Sequence, residues 1–208
     1  MTGGRFIALE GGEGVGKSTA MTGLVDYLES RGIGVVQTRE PGGTPIAEII
    51  RELVLTPRDE PLAATAELLL MFAARAQNLE QTIRPALARG DWVVSDRFTD
   101  ATLAYQGYGR GADLQQIYAL ADLVHGGLWP DRTLWLDADQ AVADRRRHGR
   151  NPDDDRFERE QRAFFERVRN GYAELSRKHA GRYRRIDANG TRDSVVEQLA
   201  VAVSDLID

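Results

Sequence analysis

The stretch Gly11-Gly12-Glu13-Gly14-Val15-Gly16-Lys17-Ser18, continued by Thr19, decides the fold class of this chain. It fits G-x-x-x-x-G-K-[ST], and its context agrees: the apolar run Phe6 to Leu9 precedes it and a segment of helical spacing follows. Each residue type has a physical task. Glycines let the backbone curl until its N–H groups face an anion. The helix that begins at Ser18 adds its positive N-terminal end. Lys17 brings a point charge to the β- and γ-phosphates of a nucleotide, and Ser18 offers the hard oxygen that Mg²⁺ prefers. The loop therefore predicts binding of ATP or a similar triphosphate, without saying what is done with it.

Outward from the loop, strand and helix alternate. Val35 to Thr38, Trp92 to Ser95, Thr133 to Leu136 and the weaker Tyr183 to Ile186 are short apolar runs like Phe6 to Leu9. Between them lie segments of helical spacing: Ser18–Ser30, Pro45–Leu55, Ala63–Arg89 with a bend near Pro85, Leu114–Val124, Gln140–Arg147, Glu158–His179 and Arg192–Ile207. Runs of this kind predict parallel strands buried on both faces. The expected architecture is α/β in three layers, a parallel sheet of about five strands with helices on both faces, as a single domain over residues 1–208. Arg145 to Arg159 differs. It is strongly charged and nearly free of apolar residues, and it reads as a mobile surface excursion.

The 208 residues are 42% hydrophobic and 28% charged, enough to bury a core without staples. There is no cysteine, which excludes disulfides, thiolate metal sites and cysteine nucleophiles. The three histidines are scattered, which argues against structural zinc. A net charge of −5 argues against a grip on a long nucleic-acid backbone. No apolar run suits a membrane span or a signal segment, so a cytoplasmic protein is expected.

Arginines recur where strand ends should meet. Thr38-Arg39-Glu40-Pro41-Gly42-Gly43 follows the second strand, Arg51 lies in the next helix, Met71-Phe72-Ala-Ala-Arg75 lies in the long one, and Asp96-Arg97-Phe98 closes the third strand. Any one of these, taken alone, reads more simply as a surface charge or a core side chain. Together they make a second anion site beside the loop, since guanidinium suits bidentate phosphate contact. Asp96 stands where it can support Mg²⁺ or Lys17. The residues alone reach a kinase acting on a phosphorylated acceptor.

The order Glu10-Gly-Gly-Glu-Gly-Val-Gly-Lys-Ser18, Thr38-Arg-Glu-Pro-Gly-Gly43, Asp96-Arg-Phe98, Tyr105-Gln-Gly107, Gly109-Arg-Gly111 and Asp155-Arg-Phe-Glu158 resembles the bacterial thymidylate kinase family, P-loop kinases of nucleoside monophosphates. The resemblance implies a P-loop kinase fold, a homodimer, and transfer of a phosphoryl group from ATP–Mg²⁺ to dTMP. It implies that Glu13 contacts the sugar 3′-hydroxyl, that Arg39 and Arg97 hold the acceptor phosphate with Arg51 in support, and that Glu40 sits near phosphate and metal. Arg75 would meet the thymine edge, Thr102 and Gln106 its other polar groups, and Tyr105 would crowd the 2′ position. Relatives carry a base-stacking aromatic four residues before this arginine. Met71 holds that place here, and either Met71 or neighbouring Phe72 could cover the ring, with Phe72 preferred. The charged excursion matches the family's lid. Because position 14 is glycine, the lid arginines Arg150 and Arg156 are the catalytic candidates, with Arg145 as the one that stacks on adenine.

Rival readings lack their signatures. No Asn-Lys-x-Asp string supports a guanine-specific switch, no second motor motif occurs, and the Tyr105-Gln-Gly stretch argues against kinases of other acceptors.

Overall fold

The first apolar run becomes β1 (Phe6–Glu10), all five of whose residues are buried. A strand with no exposed face needs cover on both sides. The computed structural model of the protein describes residues 3–57, 59–148 and 156–207, with 147–148 and 156–161 described by backbone alone. Four more strands, β2 (Val35–Arg39), β3 (Trp92–Asp96), β4 (Arg132–Asp137) and β5 (Tyr183–Asp187), complete a parallel sheet in the order β2-β3-β1-β4-β5. Every strand runs one residue past the end of its apolar run, and that last residue is charged: Glu10, Arg39, Asp96, Asp137 and Asp187. The apolar pattern stops where the site begins.

Side chains alternate across β1 with period two. Ile7 and Leu9 join Leu24, Leu28, Leu136 and Leu199 in one core, which packs α1 (Lys17–Glu29) and α9 (Arg192–Val203) on one face of the sheet. Phe6 and Ala8 face Leu79, Ile83, Val93 and Phe98 on the other. That second face also carries Phe72, Leu103, Ile117, Trp135, Tyr172 and Leu175, contributed by α3 (Ala64–Asn78), the segment after α5 (Thr99–Thr102), α6 (Leu114–His125), β4 and α8 (Arg156–Lys178). The helix α2 (Pro45–Leu55) lies against α3.

One local reading is corrected. The helix expected over Ala63–Arg89 is divided into α3, a π-helical turn (Leu79–Ile83) and α4 (Arg84–Arg89). The wide turn stands just before Pro85, where the ring displaces the preceding helical carbonyl and the missing N–H leaves it unpaired. A second π-helical turn (Leu103–Gly109) follows α5 in a segment whose glycines hide its helical character. The charged stretch over 145–159 borders two helices. Arg145 to His148 finish α7 (Gln140–His148) and Arg156 opens α8. Arg150 lies outside the described residues, as does the side chain of Arg156.

Candidate active site

The strand ends converge. Leu9 and Arg39 are both in register with Asp96, so the ends of β1, β2 and β3 stand side by side. In the loop after β1, Lys17 Nζ donates to the carbonyls of Gly12 (2.9 Å) and Gly11 (3.3 Å), holding the loop closed on itself. Burial, then the nearby Arg97 charge, lower the Lys17 ammonium to about 8. Gly14 takes φ +75°, and a Cβ there would strike the Ala143 carbonyl of α7, so the loop can lie against that helix only without a side chain.

A cleft of about 700 Å³ opens over this loop, lined by Lys17, Ser18, Thr19, Arg39, Arg51, Asp96, Arg97 and Arg146 among others. Arg39 pairs with Glu48 (2.8 Å), and Arg51 Nη1 donates to the Pro41 carbonyl (2.8 Å). Asp96 Oδ1 is buried without a hydrogen-bond partner. An orphaned carboxylate oxygen and the Ser18 hydroxyl on one cleft form a hard-oxygen set that fits Mg²⁺. No group of three or more acidic or histidine ligands occurs among the described residues. That suits a metal that keeps water and binds chiefly through substrate phosphates.

Arg97 occupies a left-handed backbone position (φ 72°), rare for a residue with a side chain. Its N–H donates to the Leu9 carbonyl (2.9 Å), which ties β3 to β1 while the side chain enters the cleft. Its Nη2 donates to the Tyr105 hydroxyl (3.0 Å), and its guanidinium carbon lies 4.7 Å from that ring's centre. Burial opposes its charge, but Tyr105, Tyr172, Asp96 and Glu10 outweigh burial and hold Arg97 firmly protonated.

Beside this cleft lies a cavity of about 190 Å³. Glu13, Glu40 and Arg97 line both spaces and form their common wall. Arg75 reaches the smaller cavity from α3. It donates from Nε to Glu40 (2.6 Å) and from Nη2 to the Thr102 hydroxyl (3.0 Å), and its Nη1 is buried without a partner. Gln106 Nε2 donates to Glu67 Oε1 (2.8 Å), while Gln106 Oε1 is likewise buried and unpaired. The site thus holds one unused donor and one unused acceptor. Burial pushes the Glu40 carboxyl above its usual range, against the pull of Arg75 and Asn78.

Two expected positions are corrected. Phe72 does not line this cavity. It is 2% exposed in the core, and the Arg75 guanidinium lies 4.7 Å from its ring centre, with Phe98 at 5.3 Å. Met71, one residue earlier on the half-buried side of the helix, is the wall residue. Spacing of three or four residues put both on the arginine's side and could not tell cavity from core. Arg145 is not among the residues lining either space, whereas Arg146, equally exposed, lines the larger one beside the loop. Arg146 Nη1 donates to the Ala188 carbonyl (2.8 Å). With Gly190, Thr191, Arg192 and Thr19 it bounds a further space of about 230 Å³ against α1.

Glu10 is not among the site residues expected from the sequence. It is fully buried beneath the loop and accepts from the Phe98 N–H (2.8 Å) and the Tyr172 hydroxyl (2.8 Å). It therefore links β1, the turn after β3 and α8. Burial, then the Asp100 charge, raise its carboxyl to about 8. Glu67 also went unnoticed. For Glu67 the sequence signal is a lone acid inside an apolar stretch; for Glu10 it is an acid that closes an apolar strand directly before the phosphate loop.

A phosphate loop at the end of the central strand, with an arginine-walled second cavity sharing Arg97 and Glu13 with it, defines a P-loop kinase of the nucleotide kinase class. The family model described as thymidylate kinase matches residues 9–199. A thymidylate kinase of Chromohalobacter salexigens is 57% identical over 99% of this chain and 97% of its own. That of Alkalilimnicola ehrlichii is 51% identical over 100% and 95%. The crystal structure of thymidylate kinase from Ehrlichia chaffeensis superposes with a TM-score of 0.79 at 30% identity, covering 97% of this chain and 99% of that one. The chain belongs to the thymidylate kinase family.

Proposed function

We propose that this enzyme transfers the γ-phosphoryl group of ATP to the phosphate of dTMP, giving dTDP and ADP and so supplying dTTP for DNA synthesis. The observation that carries the reading is that Arg75 and Gln106 line one cavity and each keeps a buried polar atom without a partner, the donor Arg75 Nη1 and the acceptor Gln106 Oε1. A pyrimidine edge with a carbonyl oxygen beside an imide N–H satisfies both. Met71 covers the base, Thr102 steadies Arg75, and Tyr105 narrows the sugar end of the cavity. Glu13, on the wall between the two spaces, takes the 3′-hydroxyl, a partner that makes sense of a carboxylate between two anionic substrates.

Lys17, the loop N–H groups and Thr19 hold the triphosphate, and Arg146 with the Gly190–Arg192 turn takes the adenine. Arg39, Arg51 and Arg97 orient the acceptor phosphate. Ser18 and Asp96 would hold Mg²⁺, which when bound supplies countercharge to the triphosphate oxygens. An acceptor phosphate oxygen is already anionic, so no strong general base is needed. Catalysis is positioning and charge neutralisation. A lid around 145–159 would exclude water, with Arg150 or Arg156 completing the countercharge.

The protein acts as a homodimer in the cytoplasm on this reading. Ile46 and Ile49 of α2 and Leu69 of α3 are exposed apolar residues on two packed helices that suit a partner copy. Among the described residues no helix is long and apolar enough to cross a membrane.

Arg97→Ala tests the assignment of the acceptor phosphate. Transfer should fall by about 10²–10³-fold, while ATP binding, followed by calorimetry, stays within about threefold. Equal loss of binding and transfer would assign Arg97 to the ATP side instead.

A further inference from the structure

Glu67 lies in the first turn of α3 and reaches the wall of the smaller cavity. Its two oxygens are used differently. Oε1 accepts from Gln106 Nε2 at 2.8 Å and Oε2 accepts from Arg110 Nη1 at 2.5 Å. A carboxylate can only accept hydrogen bonds. The amide nitrogen of Gln106 must therefore face Glu67, and its carbonyl oxygen must face away, where it is buried and unpaired. Turning the amide over would set two acceptor oxygens against each other in a partly buried contact, which is costly. Gln106 itself is mounted on the π-helical turn Leu103–Gly109, where Arg110 N–H donates to the Tyr105 carbonyl five residues back, so the backbone holds its direction too.

We infer that Glu67 is the positioning residue that sets base selectivity, by locking Gln106 as an acceptor toward the bound base. The inference rests on the proposed nucleotide site and adds the reason for its discrimination. An imide N–H between carbonyls, as in thymine or uracil, meets the locked oxygen as a donor. Cytosine presents a lone pair at the same ring position and an amino group where thymine carries an oxygen. A free glutamine could serve either base by turning over. Glu67, held in turn by Arg110, removes the second option. Selectivity is thereby placed one residue behind the base-reading contact, on a side chain that need not touch substrate.

The test is a double-mutant cycle on the full-length protein, with dTMP and dCMP as acceptors. In Glu67→Gln the new amide can donate to Gln106 Oε1 and release the lock. The dTMP/dCMP ratio of kcat/KM should fall at least about tenfold, chiefly through a raised KM for dTMP, with the KM for ATP unchanged. In a Gln106→Ala background, Glu67→Gln should change that ratio by less than about twofold. Calorimetric titration with dTMP and dCMP gives the same comparison if turnover is low. An unchanged ratio in the single variant, or an equal change in both backgrounds, would overturn the role of Glu67 while leaving the kinase reading intact. Wild-type protein that shows no preference for dTMP would remove the site reading and this inference together.

Discussion

The Arg75 guanidinium and the Glu40 carboxylate meet at 2.6 Å with side chains only 3% and 2% exposed. A buried pair of this kind adds little net stability, because desolvation offsets attraction, but removing one partner strands the other charge. Glu40→Ala should therefore lower unfolding stability by about 3–5 kcal/mol, read from a urea midpoint, and raise the KM for dTMP by releasing Arg75. Unchanged stability with unchanged KM would mean that the pair positions nothing.

Arg146 and Arg145 are neighbours with opposite expectations. Arg146→Ala removes the side chain that packs on the loop and bounds the space against α1, and the KM for ATP should rise about tenfold or more. Arg145→Ala should leave it within about twofold. The KM for dTMP should stay put in both. The reverse order would restore Arg145 as the adenine-stacking residue.

Met71 and Phe72 separate site from core. Met71→Ala should raise the KM for dTMP with little change in stability. Phe72→Ala should cost about 3–5 kcal/mol of unfolding free energy, as buried aromatic truncations do. An effect of Phe72→Ala on dTMP binding without loss of stability would contradict the placement of its ring in the core.

Glu10 gives the chain a pH dependence of known sign. Its carboxyl lies at about 8 in the folded protein against an ordinary 4.5, because burial penalises the charged form. Below 4.5 the group is protonated both folded and unfolded. As pH rises toward 8, ionisation favours the unfolded chain and this contribution to stability is lost. Each unit of separation corresponds to about 1.4 kcal/mol, so the loss is of order a few kcal/mol. Glu10→Gln keeps an acceptor for the Phe98 N–H and sets an amide N–H against the oxygen of Tyr172, whose hydroxyl donates to Glu10 in the wild type. Between pH 5 and 8.5 its stability should fall less than that of the wild type. Parallel curves would show that Glu10 is already ionised in the folded state.

The sheet was legible because apolar runs between amphipathic segments admit few arrangements, and the phosphate loop because its residue types answer one physical need. Strand order was not legible: five runs of similar composition carry no label for their neighbours. At the site, Lys17 was readable from the phosphate-loop motif, and Arg39, Asp96 and Arg97 from their positions at strand ends. Met71 and Phe72 were confused because helical spacing fixes a face and not its depth. Glu10 and Glu67 were missed because both act from behind another residue, Glu10 through the Phe98 N–H and Tyr172 and Glu67 through Gln106, and such a role appears only when the partners are brought together.

The most direct measurement is ADP formation from ATP–Mg²⁺ against dTMP, dUMP, dCMP, dGMP, AMP, thymidine and no acceptor. Turnover with dTMP well above every other acceptor, and negligible hydrolysis without one, is the expected result. ATP hydrolysis that does not depend on any acceptor would contradict the kinase reading itself.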